Sequence, residues 1–275
     1  MNQDVLLDGV SETMLVTLFY RAMETRSKEP LISDPVAVKI VDSLDYDFSR
    51  CNKWANQATM AVRTRLFQDA IKHYLDCHPN AVVVNMAAGL DNRFTEMDNG
   101  VLRWFDLDLP DVIDIRSRYI DETDRRSFIA TDVTDHGWMD SLGIEGTDTP
   151  VLIVAEGLFP YLQEQQAKAL LSTIATRFPN SRAILEIFGS FVVGREWIVS
   201  EFKNIRPKPK FLWSPHNPRD MEDWDERFRM LASVNLLDHY PERWRFLWHF
   251  FRLSGSIRDA LGNRIVTLDL NANKP

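Results

Sequence analysis

Apolar positions along this chain change their period part-way. Near the start they recur at helical spacing. Met14, Leu15, Leu18, Phe19 and Ala22 share one face, behind a candidate cap at Ser11. Asp34-Pro35 offers a cap and a first-turn proline, predicting a short helix through Leu44. Ala58, Ala61, Val62, Leu66, Ala70 and Ile71 predict a longer helix that stops before Pro79-Asn80. From residue 81 the pattern turns to short apolar runs, at 81–86, 102–107, 127–131, 151–155 and 183–188, with helical stretches at 110–120 and 164–178. Strands alternating with helices predict a mostly parallel sheet covered on both faces. A last alternating run, 264–270, follows the turn signal Gly262-Asn263 and reads as a final strand inserted antiparallel.

The stretch 190–225 breaks this rhythm. Pro207, Pro209, Pro215 and Pro218 exclude one long helix, and Trp197, Trp213 and Trp224 are interspersed. It reads either as a packed surface insertion or as a lid whose aromatics line an acceptor pocket. The expected organisation is one domain over 1–275. Residues 1–80 would form a helical cap, 81–189 and 226–275 the core sheet, and 190–225 the lid after the fifth strand.

Composition narrows the functional classes. With 275 residues, 45% of them hydrophobic, the chain is long enough for a substantial core. Lys and Arg total 32 against 40 Asp and Glu, a net charge of −8. That balance argues against nucleic acid as partner, which needs a concentrated basic surface. The pair Arg125-Arg126 is expected to be solvated. Cys51 and Cys77 are the only cysteines and are expected to be free thiols, buried or partly so. The opening Met1-Asn2-Gln3-Asp4 lacks the basic start and apolar run of a signal peptide. No window approaches the roughly 18 apolar residues of a membrane span. The expected location is the cytoplasm, with no membrane or nucleic-acid partner; oligomeric state is not legible.

Ligands of a parallel α/β sheet bind beyond the carboxyl ends of its strands. The successive strand ends here are Ala87-Ala88-Gly89, Asp106-Leu107-Asp108, Thr131-Asp132-Val133 and Glu156-Gly157. Each suits a nucleoside cofactor. Gly89 frees a tight turn for close ligand approach. Asp108 is placed to accept both ribose hydroxyls. Asp132 is placed to accept from an adenine amino group while Val133 offers its amide. Glu156 stands where a cationic portion would lie. A dinucleotide enzyme also carries an acid after its second strand, but it wants G-x-G-x-x-G to cradle a pyrophosphate. Here those glycine positions read Ala87, Gly89 and Asn92, which favours S-adenosylmethionine, a cofactor without phosphate. Neither H-E-x-x-H, a Cys/His cluster nor G-x-S-x-G is present, so no catalytic metal and no esterase of that kind is expected.

The run Val84-Asn85-Met86-Ala87-Ala88-Gly89-Leu90-Asp91-Asn92-Arg93 resembles the G-x-G-x-D-T-R segment of the leucine carboxyl methyltransferase family, which includes the polyketide O-methyltransferases of the tetracenomycin type. Trp104-Phe105-Asp106-Leu107-Asp108-Leu109-Pro110 is similar to its aromatic-x-acid-x-D-x-P segment, and Ala155-Glu156-Gly157-Leu158-Phe159-Pro160-Tyr161-Leu162 to its A-E-G-x-x-x-Y-L segment. Arg63-Thr64 matches an R-T element upstream, and Leu18-Phe19-Tyr20-Arg21-Ala22 resembles the start of the polyketide branch. The resemblance runs from about Thr17 to Leu171.

It implies a Rossmann-like class I methyltransferase sheet of the α/β class, mostly parallel with seven strands and the last antiparallel, together with the N-terminal helical cap and the lid. It implies that Arg63 pairs with the cofactor's carboxylate, assisted by Arg21, that Ala87 and Gly89 lie against its methionine part, and that Asp108 holds the ribose. Asp132 and Val133 would hold the adenine, and Glu156 would face the aminobutyrate or sulfonium. Tyr161 would pack near the acceptor as the catalytic candidate. Ala87 and Asn92 depart from the family's glycine and threonine. Alanine is tolerable there at negative φ, and Asn92 is able to cap the next helix. The implied function is O-methylation of a small molecule, at a carboxylate or phenol of a polyketide-like compound. The alternatives are an NAD-dependent oxidoreductase and a catalytically silent cofactor-binding protein. A carboxylate acceptor needs no general base, whereas a phenol would draw on His216, His239 or His249.

Overall fold

The computed structural model describes residues 7, 9–51, 53–144, 148–203, 205–244 and 255–272. Its core is a seven-stranded sheet of order β3-β2-β1-β4-β5-β7-β6. The strands are β1 (Val82–Met86), β2 (Arg103–Asp108), β3 (Arg126–Ala130), β4 (Val151–Ala155), β5 (Ser181–Ile187), β6 (Arg229–Asn235) and β7 (Arg264–Asp269). β1 pairs in parallel with both β2 and β4, so the order reverses there and opens a crevice at their carboxyl ends. β7 runs antiparallel to both of its neighbours, β5 and β6, as the pattern after Gly262-Asn263 predicts.

β1 and β4 are buried along their whole length, which explains their unbroken apolar runs. β6 is the strand that the apolar pattern does not reveal. It lies at the sheet edge, a register shift separates Met230 from Ala232, and Leu231 faces outward. A bulge at a half-exposed edge scrambles the alternation that marks a strand.

Helices cover both faces. On one, Val62, Phe67, Ile71 and Tyr74 of α3 (Trp54–Cys77) pack on Val83, Trp104, Val154 and Ile184. On the other, Leu170, Leu171 and Ile174 of α7 (Glu164–Arg177) pack on Val84, Ile153 and Leu185. Short helices α4 (Phe94–Met97), α5 (Pro110–Arg116) and α6 (Trp138–Ser141) follow the first strands, and α8 (Gly255–Leu261) precedes β7. α5 is shorter than its pattern predicts: beyond Arg116 the amides of Tyr119 and Ile120 both turn back to the Arg116 carbonyl.

α1 (Gly9–Thr25) and α2 (Pro35–Ser43) form a separate cluster with Leu90, Val112 and Ile115, at the carboxyl edge of the sheet. Asp34 caps α2 as expected, its Oδ1 accepting from Ala37 N at 2.9 Å. Ser11 does not cap α1. The helix starts two residues earlier at Gly9, which enters at φ +55 and donates its amide to the Arg206 carbonyl at 3.0 Å. Between β5 and β6 the proline-rich stretch forms short 3-10 turns, such as Pro218–Trp224, rather than a long helix. Phe202, Ile205 and Phe211 of this stretch cluster with Tyr161 and Phe188, and Leu212 N bonds the Pro160 carbonyl at 2.7 Å. Cys51 is buried and Cys77 exposed, and neither forms a disulfide. Among the described residues no helix is long and apolar enough to cross a membrane.

A buried charge cluster ties the first loop to the sheet. Asp106, in β2, is fully buried. Its Oδ1 accepts from Trp104 Nε1 at 2.8 Å and Asn85 Nδ2 at 2.9 Å, and its Oδ2 from Arg116 Nη2 and Arg126 Nε, both at 2.7 Å. Four donors meet the full acceptor capacity of a carboxylate. Burial alone would push this acid up, but the two arginines outweigh it and hold it below the usual carboxylate range. Arg116 then reaches the loop after β1, donating to the carbonyls of Gly89 and Asp91 at 2.7 Å each. Arg126 reaches Asn92 Oδ1 at 2.8 Å. Arg126 is therefore not the solvated charge expected from the sequence, because it is 3% exposed. Its neighbour Arg125 does lie outside, paired with Asp98 at 3.0 Å. Arg116→Ala would strand Asp106 and the loop carbonyls. It should cost about 3–5 kcal/mol of unfolding free energy in urea denaturation, the range for breaking one side of a buried pair.

Candidate active site

A cavity of about 620 Å³ opens at the carboxyl ends of β1, β2 and β4. Arg63, Ala87, Gly89, Asp108, Asp132, Val133, Glu156 and Tyr161 all line it. The residues singled out from the sequence are thus gathered into one place, carried by α3, the loops after β1 to β4 and the turn Phe159–Tyr161.

The turn after β1 has left-handed backbone at Ala87, φ +53, and at Gly89, φ +49. Glycine is favoured at 89 on two counts, since an added Cβ would also crowd Met14 Cβ at 3.2 Å. At 87 the condition under which alanine is tolerable is not met: its φ is positive, and a Cβ in that region costs roughly 1–2 kcal/mol. The arginine-held carbonyls downstream fix the loop in this form despite that strain. Asn92 does not cap the next helix either. Its side chain turns to Arg126, and Arg93 occupies the cap position of α4.

Asp108 faces the turn. Its Oδ2 accepts from Gly89 N at 2.7 Å and its Oδ1 from Leu109 N at 2.8 Å. Burial pushes its carboxyl up to about 6, against the opposing pull of those amides. Asp132 sits at the exposed rim with its Oδ1 taken by Thr134, from the amide at 2.8 Å and the hydroxyl at 2.7 Å. Val133 is buried, and its carbonyl accepts from Trp138 Nε1 at 3.2 Å.

The cavity floor is a chain of alternating charges. Glu156 Oε1 lies 2.8 Å from Arg63 Nη2, and its Oε2 bonds Arg93 Nη2. Arg63 Nη1 continues to Glu186 Oε2 at 3.1 Å, and Glu186 Oε1 accepts from Asn263 Nδ2 at 2.8 Å. Burial disfavours ionised Glu156, yet Arg63 and Arg93 outweigh it and hold its carboxyl down to about 2. Burial, reinforced by Glu156, pushes Glu186 up in spite of Arg63. Arg63 Nε and Arg93 Nη1 are buried without a hydrogen-bond partner, whereas Arg93 Nε lies 2.6 Å from Asp91 Oδ2. Such donors normally find an acceptor, and a bound anionic group at this floor would supply one. Arg21 is engaged by Asp34 and the Leu90 carbonyl, at 2.9 Å each.

Above the floor, Tyr161 stands beside Phe211, ring centroids 5.5 Å apart, and burial pushes its phenol up to about 12. It is a hydrogen-bond donor at neutral pH. His216 lines a separate surface cleft with Arg219 and Arg264, and His239 does not border the cavity. His249 lies outside the described residues. No cluster of metal-ligating side chains occurs among the described residues.

Several residues of this site escaped sequence reasoning: Arg93, Arg116, Arg126, Glu186 and Glu201. Two carried a usable signal, because Glu186 interrupts the apolar run of β5 and Arg93 ends the quoted loop motif. Arg116, Arg126 and Glu201 sit in ordinary amphipathic or loop sequence.

The leucine carboxyl methyltransferase profile matches residues 14–175. The chain belongs to that family. It is accordingly an enzyme, a methyltransferase dependent on S-adenosylmethionine. It is 32% identical to the tetracenomycin polyketide synthesis O-methyltransferase of Streptomyces glaucescens, over 89% of this chain and 92% of that one. It is 28% identical to an S-adenosyl-L-methionine-dependent methyltransferase of Gibberella zeae, over 94% and 96%. Among solved structures, a DUF574 protein of Streptomyces avermitilis superposes with TM-score 0.62 at 11% identity, over 95% of this chain and 97% of that one. A putative methyltransferase of Thermobifida fusca gives 0.61 at 11%, over 97% and 96%. These two share the fold.

Restoring glycine at the strained position gives a direct check. Ala87→Gly should relieve the left-handed cost while adding some unfolded-chain entropy, for a net gain of about 0.5–1 kcal/mol in urea denaturation. A loss of stability would mean that the Ala87 methyl is needed where it packs.

Proposed function

We propose that this enzyme transfers the methyl group to oxygen of a small aromatic acceptor, a carboxylate or phenol of a polyketide-like compound, with a carboxylate as the leading case. The observation that carries this reading is the shared cavity, in which the cofactor-type strand ends form one wall and Tyr161 with the lid aromatics form the other.

The cofactor fits the donors present. Its carboxylate would be held by Arg63, whose Nε lacks a partner, with Arg93 alongside. Its ammonium would be accepted by Glu156, which stays ionised across the physiological range. Its ribose hydroxyls would donate to Asp108, and its adenine would lie between the Asp132 rim and buried Val133. Ala87 and Gly89 let the backbone pass close to the methionine part. When bound, S-adenosylmethionine supplies a methyl carbon activated by its sulfonium.

An acceptor oxygen would take that methyl by displacement, with the thioether leaving and keeping the electron pair. An acceptor carboxylate is already ionised and needs no base. Tyr161, held protonated, would donate to and orient that carboxylate rather than remove a proton. Alignment in a water-poor cavity is then the main contribution, on the order of 7–11 kcal/mol when geometry is fully productive. The cavity lining contains no histidine among the described residues, which supports the acceptor that needs none.

Calorimetry should show S-adenosylmethionine and S-adenosylhomocysteine binding in the micromolar range. Absence of binding by both would overturn the cofactor assignment. Asp108→Ala should weaken that binding about a hundredfold or more, because two charge-assisted bonds to the ribose are lost. The apo protein should also lose about 1–3 kcal/mol of stability, because the Gly89 and Leu109 amides lose their acceptor. Ribose hydroxyls favour ionised Asp108, so binding must expel its proton; affinity should be level above pH about 6 and fall by about tenfold per unit below it. Alkali treatment of methyl-labelled product should release methanol, as an ester does; a stable aryl ether would move the assignment to phenol.

A further inference from the structure

The cavity has a second polar end that the methyl-transfer reading leaves unused. Glu201 comes from the lid, Tyr20 from α1 and Asn56 from the first turn of α3. The Tyr20 hydroxyl donates to Glu201 Oε1 at 2.5 Å, and Asn56 Nδ2 donates to the same oxygen. Glu201 is 2% exposed and Tyr20 1%, yet all three border the cavity. Burial, with the neighbouring carboxylate, pushes the Tyr20 phenol well above its ordinary value, so it stays a donor. Lys53 also borders the cavity here and is exposed.

Distance along α3 separates this end from the charged floor. Asn56 and Arg63 both face the cavity, seven residues apart, which is two helical turns and about 10 Å. Phe188, Phe202, Phe211 and Tyr161 also border the cavity and pack against one another. Phe211 is 5.1 Å from Phe188, 5.5 Å from Tyr161 and 5.8 Å from Phe202, centroid to centroid. A cavity lined by this aromatic cluster suits an aromatic ring system. A carboxylate accepts hydrogen bonds and cannot donate them, so it receives a hydroxyl and repels an anion.

We infer that Glu201, held by Tyr20 and Asn56, is the specificity-determining residue for the acceptor. It accepts a hydrogen bond from a hydroxyl on a flat aromatic molecule, at the end opposite the oxygen that receives the methyl group, and it excludes a second acidic group there. This rests on the methyltransferase reading above. Because Glu201 belongs to the lid while its donors belong to the cap, the same hydroxyl also draws on the contact that keeps the lid closed.

The test is calorimetry on the full chain saturated with S-adenosylhomocysteine, using 6-hydroxy-2-naphthoate, 2-naphthoate and 2,6-naphthalenedicarboxylate as probes. The hydroxylated probe should bind at least about tenfold more tightly than 2-naphthoate, since a site built for a hydroxyl rejects the analogue lacking it. The dicarboxylate should bind most weakly. In Glu201→Gln the hydroxyl preference should shrink to within about threefold and the dicarboxylate should gain, with adenosylhomocysteine affinity within about twofold of wild type. Equal wild-type binding of the hydroxylated and plain probes, tighter binding of the dicarboxylate, or no binding by any of them would overturn the inference. So would a tenfold preference that survives in Glu201→Gln. The wild-type comparison stands alone if that variant does not fold. Failure of adenosylhomocysteine to bind would instead overturn the methyltransferase reading.

Discussion

The site depends on one buried carboxylate. Asp106 lies within β2, where an unpaired charge would be intolerable, and four donors satisfy it. Two of those donors are arginines, and each has nitrogens to spare. Arg116 uses them on the carbonyls of Gly89 and Asp91, and Arg126 uses one on Asn92. The loop that approaches the candidate cofactor is therefore fastened from below by side chains that never enter the cavity. This also accounts for the left-handed alanine: a loop held at both carbonyl and side chain does not relax to spare one Cβ.

Most of the fold is legible in the sequence because it is written in local periods. The valine-rich runs of β1 and β4 and the stripe of α3 are each readable within a dozen residues, and the strand ends gather where a parallel sheet puts them. What is not legible is long-range. Nothing near Arg116 or Arg126 says that Asp106 waits on another strand, and Arg126 beside Arg125 looks like surface charge. The clue lay in the acids instead: Asp106 and Glu186 sit in apolar runs where burial forces partners to exist. β6 escaped because an exposed, bulged edge strand has no alternation to read. Ser11 was a fair cap by type, but Gly9, with left-handed backbone tied to Arg206, starts the helix first.

Charge is divided between the ends of the cavity in different ways. At the floor, Arg63 and Arg93 flank Glu156 and keep it ionised, while Glu186 shares Arg63 and is pushed the other way by burial. A chain of this kind fixes the orientation of Arg63 from two sides, which a single ion pair would not do. At the other end, Tyr20 and Asn56 both donate to Glu201. The first arrangement suits a zwitterionic ligand, and the second suits a neutral hydroxyl.

The insertion of β7 between β5 and β6 has a consequence for the order of assembly. β6 pairs with β7 alone, so residues 229–235 have no place in the sheet until residues 264–269 exist. During synthesis the first five strands can pair as they emerge, whereas β6 must wait, already made, for a later strand to arrive. The link between β5 and β6 can already pack on Tyr161 and bond Pro160 and Gly9 over that interval, but its far end has no strand to join. The edge of the sheet formed by β6 and β7 is therefore among the last parts of the molecule to become fixed.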